Sequence, residues 1–414
     1  RSLHYKNTFD PETGFMRGRN NGLFQFPFDP AEVNFCFTEA NSWQYSMFVP
    51  QDISGMIQLY GGAEAFEAKL DKLFTTESNV SGRHQVDITG LIGQYAHGNE
   101  PSHHMAYLYN YIGKPWKTAE KVEQIMRELY TSNPDGYCGN EDCGQMSAWY
   151  VLSALGIYAV TPGTDYYTIG HPIFDSATIH LENGNDFTIS ASRESNRSFG
   201  VKSCFLNGMK YKKSFINHFD IMKGGELHFD LTDNKQKEFG TQVGNIPITS
   251  VQNNAILPVP YFVAENYSFE DSLLIEVKSP LKNRMNFIVS INGKTQKYDG
   301  PFWLKETSII KATIVNEGDK ESLPAIGTFK KRDKNMTIID LSNYANQYSG
   351  GGNQALVDGI DGGFDYRTGF WQGVQGNDYF ITIDRGRERP ISQVKIGCFQ
   401  DIKSWIWFPK EIEI

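Results

Sequence analysis

Several things are scarce in this 414-residue sequence, and each scarcity excludes something. Its five cysteines, Cys36, Cys138, Cys143, Cys204 and Cys398, are odd in number and scattered. They make neither a disulfide framework nor a zinc-type pair of pairs, so free, buried thiols are expected. No apolar run is long enough to span a bilayer. Positive charge is short as well: 39 Lys and Arg against 48 Asp and Glu leave a net charge of −9, which argues against a nucleic-acid partner. There is no exact internal repeat and no low-complexity stretch. Aromatic side chains, by contrast, are plentiful at 14%. Flat rings stack on sugars, but they also fill β-sandwich cores, so the excess is only a pointer. The length implies roughly two to four domains.

Both ends read as cut. The opening RSLHYKNTFD begins inside a patterned region and is no signal peptide, and the closing IKSWIWFPKEIEI stops on strand-like alternation. The chain is therefore expected to be a piece of a longer one. Residues 1 to about 156 are helical in character. AEAFEAKLDKLFT sets Phe66, Leu70 and Leu73 at helical spacing, and KTAEKVEQIMRELY does so with Val122, Ile125, Met126 and Leu129. GQMSAWYVLSALG places Met146, Trp149, Tyr150, Leu152 and Leu155 inside. From about 157 the period becomes two. ATIHLENGNDFTIS predicts a hairpin turning at Asn183-Gly184, SCFLNGMKYKKSF another at Asn207-Gly208, and ELHFDLT closes this antiparallel set. Later strands are predicted in LLIEVKS, FIVSING, SIIKATIV, DYFITID and ISQVKIGCF.

Three stretches carry chemistry. In FCFTEANSWQY, Glu39 ends an alternating apolar run, and Phe35, Phe37 and Trp43 are near enough in sequence to desolvate it. Desolvation raises a carboxyl pKa, as a general acid near neutral pH requires. The plainer reading is a surface Glu beside a buried strand. In DGYCGNEDCGQMSAWY, Glu141 and Asp142 precede a helix. Asp142 followed by Gln145 has the form of a capping box, so Asp142 is a cap, a base held ionised by the helix dipole, or both. In QYAHGNEPSHHMAYLYNYIG, a Gly/Pro-broken loop feeds a helix starting near Ser102. Asn99 and Glu100 offer hard oxygens suited to calcium, and His97 a donor for a sugar hydroxyl. His103 and His104 raise zinc, but their spacing from His97 fits no zinc signature. Arg17 and Arg19 in GFMRGRN are either donors at a cleft or surface charges.

Taken in order, GFMRGRN, TEANSWQY, QYAHGNEPSHH and GNEDCGQMSAWYVLSALG, followed by strands through HPIFDSATIHL, resemble family 92 glycoside hydrolases, exo-acting α-mannosidases common in gut Bacteroidetes. The resemblance covers residues 1 to about 232. It implies an N-terminal β-sandwich, absent from this sequence, leading into an (α/α)6 barrel whose later helices are present. The implied activity is calcium-dependent, inverting hydrolysis of terminal α-mannosides, of α-1,2 type, on N-glycan or mannan oligosaccharides. Matched residue by residue, it makes Glu39 the acid and Asp142 the base. Trp43, His97, Asn99, Glu100, Glu141 and Arg17 become sugar contacts, and Asn99 and Glu100 calcium ligands. Many relatives read Asp-Glu-Asp where this chain has Asn140-Glu141-Asp142, which leaves a second carboxylate assisting the base in question.

Residues from about 250 to 330 resemble the small sandwich at the C-terminus of chitobiases. Those from about 335 resemble a truncated discoidin-type sandwich, in which Trp371, Trp405 and Trp407 are glycan platforms or, more plainly, core. The expected fold is thus multidomain α + β, a C-terminal portion of an (α/α)6 barrel with antiparallel strands and then two β-sandwich modules. The boundaries are 1–241, 242–332 and 333–414. Expected partners are mannose-containing glycans, in the periplasm or outside the cell. Two rival readings remain open: a glycan-binding protein that no longer catalyses, and an α/α-barrel glycosidase of another sugar specificity.

Overall fold

The computed structural model describes every residue except 235–236, 253–254, 282–284 and 317–319. The chain divides into two compact units. One comprises Arg1–Met16 and Asp29–Ala255, the other Arg17–Phe28 and Ile256–Ile414. The short excursion of residues 17–28 is out of sequence order and was not expected. It arises because Leu23–Phe24 pairs with Tyr261–Val263, with Leu23 opposite Phe262, while Arg19–Asn20 pairs back onto Leu23–Phe24. Leu23 and Phe262, each 2% exposed or less, join one core. Local periodicity cannot register a partner some 240 positions away.

The first unit contains the helices α1 (Ser42–Tyr45), α2 (Ile53–Tyr60), α3 (Ala63–Thr75), α4 (Pro115–Leu129), α5 (Gln145–Ala154) and α6 (His218–Met222). In α3 the predicted stripe of Phe66, Leu70 and Leu73 is fully buried. Proline opens α4, where its missing N–H costs nothing, and Val122, Ile125 and Met126 face inward. In α5, Met146 and Trp149 are buried, whereas Tyr150, Leu152 and Leu155 are only half-buried, and the chain turns to strand at Leu155. The helix expected near Ser102 is instead two 3-10 segments, Glu100–Ser102 and Met105–Ile112. Every residue of the second is buried, so its polar atoms need partners. Tyr107 donates to Ser153 Oγ at 2.8 Å, and Asn110 Nδ2 to the Ile169 carbonyl at 2.7 Å.

A five-stranded sheet follows, in the order Ser176–His180, Asp186–Arg193, Gly225–Thr232, Gly200–Leu206, Met209–Tyr211. Both predicted hairpins form. At Asn207 and Gly208 φ is +51° and +76°, the two left-handed residues that a tight type I′ turn requires. The ELHFDLT strand departs from expectation. It enters the centre of the sheet, antiparallel to Gly200–Leu206 but parallel to Asp186–Arg193. There Leu227 and Phe229 pack with Phe187 and Ile189 in one core.

In the second unit two five-stranded sheets share a core. Phe262, Ile275 and Leu304 come from one sheet, and Val289, Ile310 and Phe329 from the other. Phe329 is wholly buried. The change Phe329→Ala is expected to cost about 3–5 kcal/mol, read as a lower denaturant midpoint. The predicted strands Leu273–Lys278, Asn286–Ile291, Ser308–Val315 and Ile381–Asp384 are present. ISQVKIGCF is not a strand, and Ile391, Val394 and Ile396 in it are exposed. Trp405 and Trp407 are also exposed, at 84% and 58%, so the core role read for them fails, while Trp371 packs against Phe399 with ring centroids 5.3 Å apart. All five cysteines are free as expected, but Cys204 alone is buried.

Candidate active site

The presentation of Glu39 depends on the residues that follow it. Asn41 caps α1: its Oδ1 accepts from Trp43 N at 3.0 Å, and Gln44 Oε1 accepts from Asn41 N at 3.0 Å. This reciprocal box was legible in the letters ANSWQ, with Asn three before Gln, and sequence reasoning passed over it. Asn41 Nδ2 and Gln44 Nε2 both donate to Gln94, tying the cap to the loop that leads into HGNEP. Between Glu39 and the cap, Ala40 is buried with φ of +58°. A left-handed alanine costs about 1–2 kcal/mol, and here it turns Glu39 off the helix it precedes.

The segment bearing Asp142 is shaped by glycine. A Cβ on Gly139 would lie 2.7 Å from Gly98 Cα, and one on Gly98 would lie 1.9 Å from Thr89 Oγ1. The loops around HGN and CGN therefore pack backbone to backbone, which only glycine permits. Beyond them Asp142, Cys143 and Gly144 have φ of +51°, +57° and +95°. This run of left-handed residues overturns the expected cap: α5 begins after Gly144, and Asp142 makes no side-chain cap bond. Glu141 takes that role. Its carboxylate accepts from Gly144 N, from Ser147 Oγ and, at 2.9 Å, from Ser147 N. These bonds hold its pKa below the usual carboxylate range. With both oxygens so occupied, Glu141 is a poor sugar contact. Asp142 is left exposed, its carboxylate available.

Three other carboxylates lie within charge range of Glu39. Burial first, then the charges of Asp87, Glu100 and Asp142, push the Glu39 pKa up, and the Asn99 amide opposes the rise. Asn99 is 2% exposed, and its Nδ2 is buried without a full hydrogen bond, so its effect on Glu39 is one of proximity. Of the predicted residues, Asn99, Glu100 and Asp142, from two other stretches, thus lie near enough to Glu39 to act on its charge. Asp87 is the member that sequence reading missed; nothing in the letters QVDITG distinguishes it. Its Oδ2 accepts from Gln85 Nε2 at 2.8 Å and its Oδ1 from Asn140 Nδ2 at 3.2 Å.

Other predicted contacts fall elsewhere. His97 is fully buried, with Nδ1 2.7 Å from Tyr95 Oη and Nε2 2.7 Å from Tyr130 Oη. Neither nitrogen is open to sugar, and burial, then neighbouring His103, push its pKa well below the ordinary value. His103 and His104 are likewise buried, and that burial pushes the pKa of each down to about 4. His103 Nε2 donates to the His97 carbonyl at 2.8 Å, and His104 Nε2 to that of Met47 at 2.9 Å, so these rings hold backbone rather than metal. Trp43 is 8% exposed, edge-on to Phe15, with the Lys69 ammonium 4.8 Å from its ring centroid. It belongs to the core instead of forming a sugar platform. The ring beside Glu39 is Tyr45, whose pKa is raised by burial first and then by the Glu39 charge. Arg17 belongs to the second unit, where its guanidinium donates to the Gln25 carbonyl at 2.5 Å and lies 4.1 Å from the Phe28 ring centroid.

The side-chain oxygens of Asn99 and Glu100 are hard donors of the kind calcium takes, whereas the buried Asn99 Nδ2, which has no hydrogen-bond partner, is an N–H donor suited to an acceptor and not to a cation. Among the described residues no three His, Cys, Asp or Glu side chains converge into a cage. Asn99 and Glu100 thus supply two oxygen-bearing side chains and not a full ligand set.

The family GH92 α-mannosidase BT3965 of Bacteroides thetaiotaomicron, solved in complex with mannoimidazole, is 38% identical, with a TM-score of 0.56 over 59% of this chain and 33% of its own. The family GH92 inverting mannosidase BT2199 of the same organism is 36% identical, with a TM-score of 0.53 over 59% of this chain and 35% of its own. An uncharacterized secreted glycosidase of Arthroderma benhamiae is 27% identical over 275 residues, 60% of this chain and 33% of that protein. The chain thus spans about a third of the length of these relatives. The model of the glycosyl hydrolase family 92 catalytic domain matches residues 1–233, and the chain belongs to that family.

Proposed function

We propose that this chain supplies the acid and base of a calcium-dependent, inverting exo-α-mannosidase acting on terminal α-1,2-linked mannose of N-glycan or mannan oligosaccharides. The observation that carries the proposal is that Asp142, from a segment about a hundred residues further on, lies near enough for its charge to help raise the Glu39 pKa. Two acidic side chains flanking a glycosidic bond need different environments: one must keep its proton and the other must lose it. Glu39, partly buried among negative neighbours, is suited to keep it and give it to the leaving oxygen. Asp142, exposed on its left-handed turn, is suited to take a proton from water on the opposite ring face. Asn99 and Glu100 would hold calcium, which when bound supplies a hard Lewis acid for the sugar's vicinal hydroxyls. Family membership and the two mannosidase structures support the sugar; the secreted fungal relative supports export to the periplasm or beyond.

The barrel, the chitobiase-like module at 242–332 and the discoidin-like module at 333–414 are part of the same proposal for the complete protein. The test is hydrolysis of α-1,2-mannobiose by that protein, with the anomer of the released mannose followed by NMR. β-Mannose should appear first. Chelation should abolish the reaction, calcium should restore it and zinc should not. Release of α-mannose, or restoration by zinc alone, would sink the proposal. Binding without any cleavage would favour the glycan-binding reading instead.

A further inference from the structure

Three consecutive left-handed residues at the start of a helix are a strained way to present a side chain. Asp142 and Cys143 each bear a Cβ, and each such residue is disfavoured by about 1–2 kcal/mol. Such a turn persists only where its surroundings over-determine it. Two contacts flank it in this structure. On the N-terminal side, two residues before Asp142, Asn140 Nδ2 donates to Asp87 Oδ1 at 3.2 Å. On the C-terminal side, three residues after it, Gln145 Nε2 lies 3.0 Å from His103 Nδ1. The His103 ring has one arrangement that satisfies both nitrogens. Nε2–H donates to the His97 carbonyl at 2.8 Å, which leaves Nδ1 bare to accept from Gln145. The helix is anchored to the same residue once more, because Trp149 Nε1 donates to the His103 carbonyl at 2.9 Å.

Both flanking partners come from the stretch 87–103, which also carries Asn99 and Glu100. We propose that Asp87 and His103 are positioning residues, which clamp the Asn140–Gln145 segment from both sides and so hold Asp142 in register with the substrate-facing loop. The proposal rests on the reading of Asp142 as the base. It also gives the amide at position 140 a role. An aspartate there would set a second carboxylate against Asp87, whereas Asn140 can donate a hydrogen bond to it. This chain thus joins the segment that bears Asp142 to Asp87 by a neutral donor.

The experiment uses the complete protein and three substitutions, Asp87→Ala, Asp87→Asn and Gln145→Met. Amide hydrogen exchange over 140–147 reads the clamp independently of catalysis, and kcat and KM on mannobiose read its consequence. Asp87→Ala and Gln145→Met should each speed exchange in that segment by about tenfold while the melting temperature stays near wild type. Each should lower kcat by about 10–100-fold with KM little changed, the penalty of a base displaced by a fraction of an ångström to an ångström. Asp87→Asn keeps an oxygen acceptor for Asn140 and should keep slow exchange over 140–147, while the alkaline limb of its kcat/KM profile moves to lower pH because one charge that raises the Glu39 pKa is gone. Exchange as fast in Asp87→Asn as in Asp87→Ala would mean that Asp87 holds the segment through its charge, and would overturn the clamp. Unchanged exchange in all three would overturn it too. Faster exchange with undiminished kcat would instead remove Asp142 from the chemistry, a failure of the function reading that leaves the mechanical clamp standing.

Discussion

Replacing Asp142 by asparagine is expected to lower turnover of every mannoside by about 10³–10⁴-fold, activated aryl mannosides included, because each needs the attacking water deprotonated. The substitution removes the proton acceptor and almost nothing else. Asp142 is exposed and caps no helix, so no structural bond of α5 is lost. Its φ of +51° lies in the left-handed region, which asparagine tolerates at least as well as aspartate. The melting temperature should therefore stay within a degree or two of wild type, consistent with an ordinary surface change. Glu141→Gln should do the reverse. It removes the charge that accepts from Gly144 N, Ser147 N and Ser147 Oγ, so the helix start weakens while the base remains. Glu141 has a depressed pKa in the folded state, so its contribution is present above the unfolded carboxylate value and is lost as pH falls through the folded one. The stability gap between wild type and Glu141→Gln should thus close in acid. Turnover and melting curves for both variants decide the matter. Near-normal turnover in Asp142→Asn, or loss of turnover only through unfolding, would end the base assignment.

Glu39→Gln should lower cleavage of mannobiose by about 10²–10⁴-fold but cost a substrate with a highly activated leaving group about tenfold at most, since that group departs without a proton. The same residue should govern the alkaline side of the pH profile. A general acid works while protonated, so kcat/KM should fall as pH rises through the Glu39 pKa, which burial and then the charges of Asp87, Glu100 and Asp142 hold above the ordinary glutamate value. A carboxyl whose pKa is raised in the folded state contributes stability fully below its unfolded pKa and loses that contribution as pH rises through the folded value. Glu39→Gln should therefore be no less stable than wild type at neutral pH, because it removes a partly desolvated charge among negative neighbours. An equal loss of rate on both substrate types would falsify the acid role.

Much of this protein was determined by local sequence. The stripe of Phe66, Leu70 and Leu73 fixed α3, because a 3.6-residue period admits one buried face. Asn207-Gly208 fixed a hairpin, because few residue pairs accept two left-handed conformations in succession. TEANSWQY, HGNEP and GNEDCG carried the family and, within it, Glu39, Asn99, Glu100 and Asp142. Tertiary structure decided the rest. Asp87 joined the cluster through a fold that spacing cannot express, and ELHFDLT became a central strand because its neighbours on both sides lay distant in sequence. His97 has the letters of a ligand, yet burial left both its nitrogens with tyrosine partners. The capping box read at Asp142 and Gln145 failed for a related reason. A backbone held left-handed through Gly144 moved the helix start two residues on and handed the orphan N–H groups to Glu141. Sequence sets what each residue can do within its own few bonds; which of those capacities is used depends on the groups that the distant chain brings within hydrogen-bonding reach.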